Sequence, residues 1–256
     1  MAFTPGTPCW FDVTAPDIGA TAEFYRGLFG WTAQDMGAEA GHYTRLSLEG
    51  AQVAGIVTAL ADDGSVKPAI WLPYFAVEEV AATTAAAVAD GGAVFLEPRE
   101  AFGELEFAIL TDPDGAPYGI TRLHTAPGTE RWGQYDNPCW IEYGAVRAPA
   151  DALAHYGRVL GWKYGNAAWE TATENPYQAI SLDAGHEFGG AHRATTGEPA
   201  PFWGTTIRVA DADKVAARAI ELGGSVIQEP QDLPGPSRVG VIADQAGAVF
   251  GIMAVG

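Results

Sequence analysis

The chain repeats itself once, and this repeat is the feature that most constrains its fold. The segment Thr7–Val13 returns as Asn137–Tyr143, and each copy contains a Pro-Cys-Trp triplet. Each copy leads into a helix-like segment with an aromatic pair that ends in Gly-Trp, and these later landmarks recur at an offset of 131 residues. Such matched spacing indicates an internal duplication, so the fold has to be built twice.

Each half divides again into two similar modules. Within a module an alternating strand precedes an amphipathic helix that ends at glycine, and shorter apolar alternations follow as strands. The second module of the first half matches the second module of the other half without a gap, at an offset of 132 residues, for example Gly91 with Gly223. We therefore expect an α+β fold of four βαβββ modules in two domains. The expected boundaries are 1–124, with modules at about 7–60 and 68–124, a linker at 125–136, and 137–256, with modules at about 137–195 and 201–256.

The charge balance excludes two classes of partner. The chain of 256 residues carries 14 basic and 32 acidic side chains, a net charge of −18, which repels nucleic acid phosphates and anionic lipid. No apolar run is long enough to span a bilayer, and residues 1–15 lack the pattern of a signal peptide. We therefore expect a cytoplasmic protein that has neither a nucleic acid nor a membrane partner.

The two cysteines, Cys9 and Cys139, stand at the same place in their repeats. Two cysteines cannot form a disulfide framework, so buried free thiols are expected. A bridge between the repeats and a reactive thiol are less favoured interpretations of the same pair.

The landmarks together resemble a known superfamily. The helix with Phe24-Tyr25, the Leu-Gly-Trp stop at 160–162 and the Asp-Pro-Asp-Gly turn at 112–115 are similar to those of the glyoxalase/bleomycin-resistance/extradiol-dioxygenase, or vicinal oxygen chelate (VOC), superfamily. The doubled Pro-Cys-Trp resembles the two-domain actinobacterial culture-filtrate-antigen subgroup, whose members are often labelled hydroxylases or glyoxalases. The resemblance implies duplicated VOC domains that act on small molecules.

The resemblance also implies where metal ligands would stand. Metal-dependent members have a His on the first strand of a module and a Glu soon after the Asp-Pro-Asp-Gly turn. Here indoles and glycines occupy these positions and offer no donor, so we expect neither a metal nor another cofactor. The positions are Trp10, Gly119, Trp140 and Gly251, with Trp71 or Leu72 and Trp203 or Gly204 in the second and fourth modules.

An aromatic and acidic site is expected instead. Strand alternation puts Trp10 and Asp12 on one face, and Trp140 and Glu142 repeat the arrangement. A carboxylate beside an indole in a closed cavity has a raised pKa, so Asp12 and Glu142 are the candidate catalytic acid–base residues. The alternative is that they pair with an arginine such as Arg45 or reach solvent. Candidate ligand-binding residues are Trp10, Trp140, Tyr43, Tyr177, Trp71 and Trp203, for half of which an ordinary place in the core is the alternative.

The histidines are not expected to form a site. No two of the five have a spacing typical of metal ligands. His186 and His192 flank a Gly-Gly pair and are expected to be solvated or singly paired, and His155 is expected to pack against its neighbours.

Two classes of function remain open. One is a metal-independent enzyme that hydroxylates, cyclises or otherwise transforms an aromatic small molecule of secondary metabolism. The other is a bleomycin-resistance-like protein that binds and sequesters such a molecule in antibiotic biosynthesis or resistance. The family name adds glyoxalase-type lyase activity as a third candidate. In each case the partner is a small molecule and the protein is expected to be a monomer or a homodimer.

Overall fold

The computed structural model describes residues 3–59, 65, 67–183, 186–195, 197–198 and 200–256. Residues 1 and 60, at which two expected boundaries fall, lie outside the described residues. The first half contains two βαβββ modules, as predicted. Their elements are β1 (Pro8–Ala15), α1 (Ile18–Phe29), β2 (Thr32–Asp35), β3 (Thr44–Leu48), β4 (Ala51–Thr58), β5 (Trp71–Ala76), α2 (Val80–Ala89), β6 (Ala93–Ala101), β7 (Leu105–Thr111) and β8 (Pro117–Leu123).

The second half repeats this order, and the predicted fold class is thereby confirmed. Its elements are β9 (Asn137–Ala145), α3 (Pro149–Leu160), β10 (Lys163–Asn166), β11 (Gln178–Ser181), β12 (Glu187–Arg193), β13 (Phe202–Arg208), α4 (Ala212–Glu221), β14 (Ser225–Asp232), β15 (Ser237–Ala243) and β16 (Val249–Val255).

Each half forms one eight-stranded sheet. The strand orders are β2-β3-β4-β1-β5-β8-β7-β6 and β10-β11-β12-β9-β13-β16-β15-β14. In every module the first and last strands pair in parallel, and the hairpin-connected strands pair antiparallel. Side chains of the first and last strands therefore lie next to each other.

The helix ends follow from local chemistry. The Asp17 carboxylate accepts a hydrogen bond from the Ala20 N–H at the start of α1 (2.9 Å), and Gly30 ends that helix in the left-handed region at φ 75°. The counterpart α3 begins with Pro149 and ends at Gly161, also at φ 75°. None of the helices in the described part of the chain has the length and hydrophobicity needed to span a bilayer.

The chain also separates into two compact units, each of which takes modules from both halves. Unit one, largely the second and third modules, comprises Met1–Cys9, Pro73–Pro127 and Trp140–Gly204. Unit two, largely the first and fourth modules, comprises Trp10–Leu72, Gly128–Cys139 and Thr205–Gly256.

A buried carboxylate joins the two modules of unit one. Asp112, which is 3% exposed, lies in the turn before β8. Its Oδ1 accepts hydrogen bonds from the N–H groups of Asp114 (2.9 Å) and Ala116 (2.8 Å). Its Oδ2 accepts from the hydroxyls of Tyr143 on β9 (2.6 Å) and Tyr156 on α3 (3.0 Å). One side chain thus fixes its own turn and two elements of the next module.

Unit two contains an equivalent buried carboxylate, Asp244, which accepts one hydrogen bond fewer. Asp244 Oδ1 accepts from the N–H groups of Ala246 and Ala248, both at 2.9 Å, and its Oδ2 accepts from the Tyr25 hydroxyl at 3.1 Å. Val13 occupies the strand position of Tyr143, so the second hydroxyl is missing. Burial raises the pKa of Asp244.

Both cysteines are free thiols, as predicted. Cys9 is buried, and its Sγ lies 3.5 Å from the Tyr74 carbonyl oxygen. Cys139 is partly buried, and burial raises its pKa to about 12.

The two buried carboxylates predict a graded loss of stability. Asp112→Ala leaves two tyrosine hydroxyls and two N–H groups without their acceptor, so we expect the free energy of unfolding to fall by about 3 kcal/mol or more. The matched variant Asp244→Ala removes one hydroxyl bond fewer and should cost about 1 kcal/mol less. Urea unfolding measures both values, and equal losses would contradict this account.

Candidate functional site

Three expected site residues come together in unit two. The Trp10 Nε1–H points at the Tyr43 hydroxyl oxygen (2.8 Å) and at Asp12 Oδ1 (3.0 Å), and the Tyr43 hydroxyl donates to the same oxygen of Asp12 (2.8 Å). Trp10 and Asp12 lie two residues apart on β1, and Tyr43 directly precedes β3. Asp12 is only 6% exposed, so this first triad is a nearly closed hydrogen-bonded group.

The surroundings hold the Tyr43 hydroxyl in its protonated form. Burial, followed by the charge and hydrogen bond of Asp12, raises the pKa of Tyr43 well above its ordinary value. Arg45, considered above as a partner for Asp12, lies close enough for its charge to act on the pKa of Tyr43 in the opposite direction.

Unit one repeats the triad with a longer carboxylate. The Trp140 Nε1–H lies 3.1 Å from the Tyr177 hydroxyl and 3.2 Å from Glu142 Oε2, to which that hydroxyl donates at 2.7 Å. Burial first, and Glu142 second, raise the pKa of Tyr177. The Glu142 side chain is 24% exposed, so this second triad is more open than the first.

Glycine makes room for each tyrosine. Gly55 on β4 is in register with Asp12, and Gly190 on β12 is in register with Glu142. A Cβ atom would lie 2.0 Å from the Tyr43 hydroxyl oxygen at Gly55 and 1.9 Å from that of Tyr177 at Gly190. Atoms that are not bonded to each other do not approach so closely, so both triads require a residue without a side chain at these positions.

A histidine that contacts the second triad was not among the site residues expected from the sequence. His192 Nδ1 lies 2.7 Å from Glu142 Oε1, and its Nε2 lies 3.4 Å from Glu198 Oε1. Burial alone would lower the pKa of His192, but the hydrogen bond and charge of Glu142, together with Glu198, outweigh it and raise that pKa. His192 was expected to be solvated or singly paired, whereas both of its ring nitrogens face carboxylates.

Aromatic rings border this histidine. Phe202 lies 6.1 Å from the His192 ring, and its edge fills the space above Gly144, where a Cβ would be 2.0 Å away. Trp169, in the loop before β11, is 46% exposed and lies 5.0 Å from the Tyr177 ring. Trp140 and Tyr177 belong to the second triad, Trp169 lies against Tyr177, and Phe202 lies beside His192. All four rings are at least partly exposed, and together they are called the aromatic face.

Trp71 and Trp203 are placed elsewhere. Trp71 is 2% exposed and donates to the Tyr25 hydroxyl (2.9 Å), which in turn donates to Asp244. Trp203 is 5% exposed and donates to Tyr156 in the same way (2.8 Å). These indoles complete the buried carboxylate networks, and the structure does not bring them to either triad. His155 packs as expected, because it is buried and bonded to Tyr118 (3.0 Å) and Asp90 (2.8 Å).

The residues do not fit the metal that the fold implies. A Cβ at Gly119 would lie 2.0 Å from Tyr74 Cδ1, and one at Gly251 would lie 2.5 Å from Thr206 Oγ1. The space of a metal-binding glutamate is therefore taken by neighbouring side chains. Among the described residues, no three His, Cys, Asp or Glu side chains converge as a metal site. His192 does not change this, since its two carboxylates lie at opposite ring nitrogens.

A cavity of about 510 Å³ lies in unit two, away from the expected site residues. It is lined by Leu48, Glu49, Arg131, Gly133, Gln134, Tyr135, Asp136 and Arg208.

Comparison with known proteins supplies the family context. Residues 9–118 and 145–252 match the family model described as the glyoxalase/bleomycin resistance protein/dioxygenase superfamily. The chain is 33% identical to the anthracycline biosynthesis protein DauV of Streptomyces sp. strain C5 over 265 residues, which covers 98% of this chain and 94% of that protein.

Solved structures show the same fold at low identity. The Mn(II)-bound glyoxalase from Novosphingobium aromaticivorans matches with a TM-score of 0.67 and 15% identity, covering 98% of this chain and 82% of that chain. The 2,2',3-trihydroxybiphenyl 1,2-dioxygenase from Sphingomonas wittichii strain RW1 matches with a TM-score of 0.68 and 11% identity, covering 98% and 91%.

The contact between Glu142 and His192 predicts a measurable titration change. Glu142→Gln removes the larger of the two carboxylate contributions that raise the pKa of His192, while Glu198 and the burial that lowers this pKa remain. We expect the imidazole to titrate at a lower pH in the variant than in the wild type, measured by NMR of its ring protons. Because the folded pKa is the raised one, His192 stabilises the fold fully below its unfolded pKa, and this stabilisation is lost as the pH rises through the folded pKa.

The matched control is Asp12→Asn, which changes the carboxylate of the triad that has no histidine. It should leave the His192 titration unchanged. A titration that is the same in Glu142→Gln as in the wild type would refute the assignment.

Proposed function

The chain belongs to the glyoxalase/bleomycin resistance protein/dioxygenase superfamily, and we propose that within it the protein binds a flat, oxygen-bearing aromatic small molecule without using a metal. The observation that carries this proposal is the aromatic face, whose partly exposed rings include two members of the second triad and two neighbouring rings. Trp169 and Tyr177 offer rings for stacking, and Glu142 and His192 offer polar atoms at the edge of the same face.

The proposed ligand class is a polycyclic aromatic compound of secondary metabolism. The relative DauV is named for anthracycline biosynthesis, and anthracyclines are flat, fused-ring molecules with phenol and quinone oxygens. Such a molecule would stack on indole and phenol rings while its oxygens bond to groups at the edge. The aromatic face and the relative's name thus support the same chemical class.

Metal independence is part of the proposal, and the glycine positions support it. Tyr74 and Thr206 fill the space that a metal-binding side chain would need at Gly119 and Gly251. Glyoxalase-type lyase activity relies on a metal in this superfamily. For that reason we rank it below both ligand sequestration and metal-free transformation of the ligand.

If the ligand is transformed, we propose that the carboxylates Asp12 and Glu142 take part in acid–base chemistry. The alternative is a protein that binds and sequesters its ligand, and the first triad favours it, because Asp12 is 6% exposed and already accepts hydrogen bonds from Trp10 and Tyr43. Unchanged turnover in both Asp12→Asn and Glu142→Gln would remove these carboxylates from the mechanism.

Ligand binding can be tested with alizarin, a commercial hydroxyanthraquinone with the proposed fused-ring chromophore. We expect the dye to quench tryptophan fluorescence saturably and Trp169→Ala to weaken binding by about three- to tenfold through loss of one stacking partner. The matched control is Phe95→Ala, which removes another exposed aromatic side chain of unit one (65% exposed) and should leave the affinity unchanged. Absence of saturable quenching, or equal losses in the two variants, would refute the site.

Metal independence is tested by elemental analysis of protein purified without a chelator. We expect no stoichiometric manganese, iron, nickel or zinc, and dialysis against EDTA should leave alizarin affinity unchanged. A stoichiometric metal whose removal abolishes binding would overturn this part of the proposal.

A further inference from the structure

The cavity of about 510 Å³ in unit two has a wall built from the segment that joins the two halves. Five of its lining residues lie between 131 and 136, within the linker expected at 125–136. The others are Leu48 and Glu49 at the end of β3 and Arg208 at the end of β13. A space of this size suits a small molecule, so the linker contributes to a candidate binding site.

Backbone hydrogen bonds hold this wall in place. The Asp136 N–H donates to the Arg208 carbonyl oxygen (2.7 Å), and the Trp31 indole N–H donates to the Asp136 carbonyl oxygen (2.9 Å). The Gly133 N–H donates to the Pro138 carbonyl oxygen (2.8 Å). A wall that is already ordered does not have to be ordered by the ligand, which lowers the free-energy cost of binding.

Arg208 brings a positive charge with unused hydrogen-bond donors to this cavity. Its Nη1 donates to the Gly133 carbonyl oxygen (2.9 Å), and its Cζ lies 4.8 Å from the centre of the Tyr135 ring. Its Nε is buried and has no hydrogen-bond partner among the described residues. None of the ion pairs found in the described part of the chain involves Arg208. A guanidinium that is held in place but not matched by a carboxylate is suited to bind an anion.

The other charges around the cavity largely cancel. Arg131 Nη1 lies 2.7 Å from Glu49 Oε2, so these two side chains form an ion pair. Burial raises the pKa of Asp136, which disfavours the charged form of that carboxyl. Arg208 is thus left with an uncompensated charge in a chain whose net charge is −18. One such charge matches a monoanion better than a phosphate ester, which carries about two negative charges.

Unit one keeps the same backbone arrangement without the arginine. The Gly6 N–H donates to the Ala76 carbonyl oxygen (2.7 Å), and the Trp162 indole N–H donates to the Gly6 carbonyl oxygen (2.7 Å). Ala76 is therefore the counterpart of Arg208, 132 residues earlier. The cavity of about 300 Å³ that Gly6 and Ala76 line has no lysine or arginine among its described lining residues. The fold itself does not require an arginine at this position, so its presence in unit two points to binding.

We propose that the cavity of unit two binds a small aromatic monocarboxylate and that Arg208 contacts the carboxylate group of this ligand. The carboxylate accepts hydrogen bonds from N–H groups of Arg208 that the Gly133 carbonyl oxygen leaves free. The ligand ring lies against Leu48 and the Tyr135 ring, which is 50% exposed. This inference goes beyond the proposed function, since the aromatic face belongs to unit one and this cavity to unit two.

The test measures binding of 2-naphthoate by isothermal titration calorimetry. We expect one molecule to bind per chain and the neutral 2-naphthamide to bind about tenfold or more weakly, because it lacks the charge that Arg208 recognises. Arg208→Gln should weaken 2-naphthoate binding about tenfold or more. The matched control is Arg238→Gln, which removes another arginine of unit two that pairs with Asp213 and Asp232 and does not line the cavity. It should leave the affinity unchanged.

Two further comparisons separate recognition of the charge from a structural defect. Tyr135→Leu keeps every arginine and removes the ring on which the ligand stacks, so we expect a loss of about three- to tenfold in affinity. The comparison of 2-naphthoate with 2-naphthamide uses the wild type alone and tests the proposal even if Arg208→Gln fails to fold. Equal affinities of the wild type for the two compounds, or equal affinities of Arg208→Gln and Arg238→Gln for 2-naphthoate, would overturn the inference.

Competition separates this site from the aromatic face. Saturating alizarin should not displace 2-naphthoate, because the two ligands bind in different units. Displacement by alizarin would place 2-naphthoate at the aromatic face, which would overturn the inference and leave the proposed function standing. Displacement by an equal concentration of inorganic phosphate would overturn it by assigning the cavity to an inorganic anion. Absence of 2-naphthoate binding would overturn the inference alone, because alizarin binding tests the proposed function separately.

Discussion

The structure depends on the parallel pairing of the first and last strands within each module, with a glycine at the contact. The registers Asp12 with Gly55, Tyr74 with Gly119, Glu142 with Gly190 and Thr206 with Gly251 repeat this arrangement four times. At each glycine a neighbouring side chain occupies the space that a Cβ would need. In the first and third modules that neighbour is a tyrosine hydroxyl bonded to a carboxylate. The glycine on the last strand of each module thus accounts both for the two triads and for the poor fit of a metal.

Duplication supplied two buried carboxylates and two triads, and the two copies of each differ in the hydrogen bonds they make. Asp112 accepts hydrogen bonds from two tyrosine hydroxyls, whereas Asp244 accepts one from a single tyrosine hydroxyl. Glu142 accepts from Tyr177 and also contacts His192, whereas Val57 stands at the histidine position of the first triad. The halves therefore share a fold while offering different chemistry.

The buried networks explain why so many large aromatic residues of this chain are structural. Trp71 and Trp203 donate to Tyr25 and Tyr156, and these tyrosines donate to the buried carboxylates Asp244 and Asp112. A buried indole N–H or phenol O–H needs a partner, and a buried carboxylate needs donors, so each group meets the need of the other. The indoles of the two triads are different from the buried Trp71 and Trp203, because Trp10 and Trp140 are partly exposed.

The sequence by itself determined the duplication, the order of strand, helix and further strands in each of the four modules, and the shared face of Trp10 with Asp12 and of Trp140 with Glu142. Repeat offsets and strand alternation are local properties. The sequence could not indicate β2 and β10, whose residues are all exposed and show no apolar alternation. Only the tertiary structure decided that Tyr177 and His192, 35 and 50 residues from Glu142, bond to it, that Trp71 faces Tyr25, and which modules share a unit. Those contacts depend on strand register and on space left by glycine, and residue pattern along the chain encodes neither.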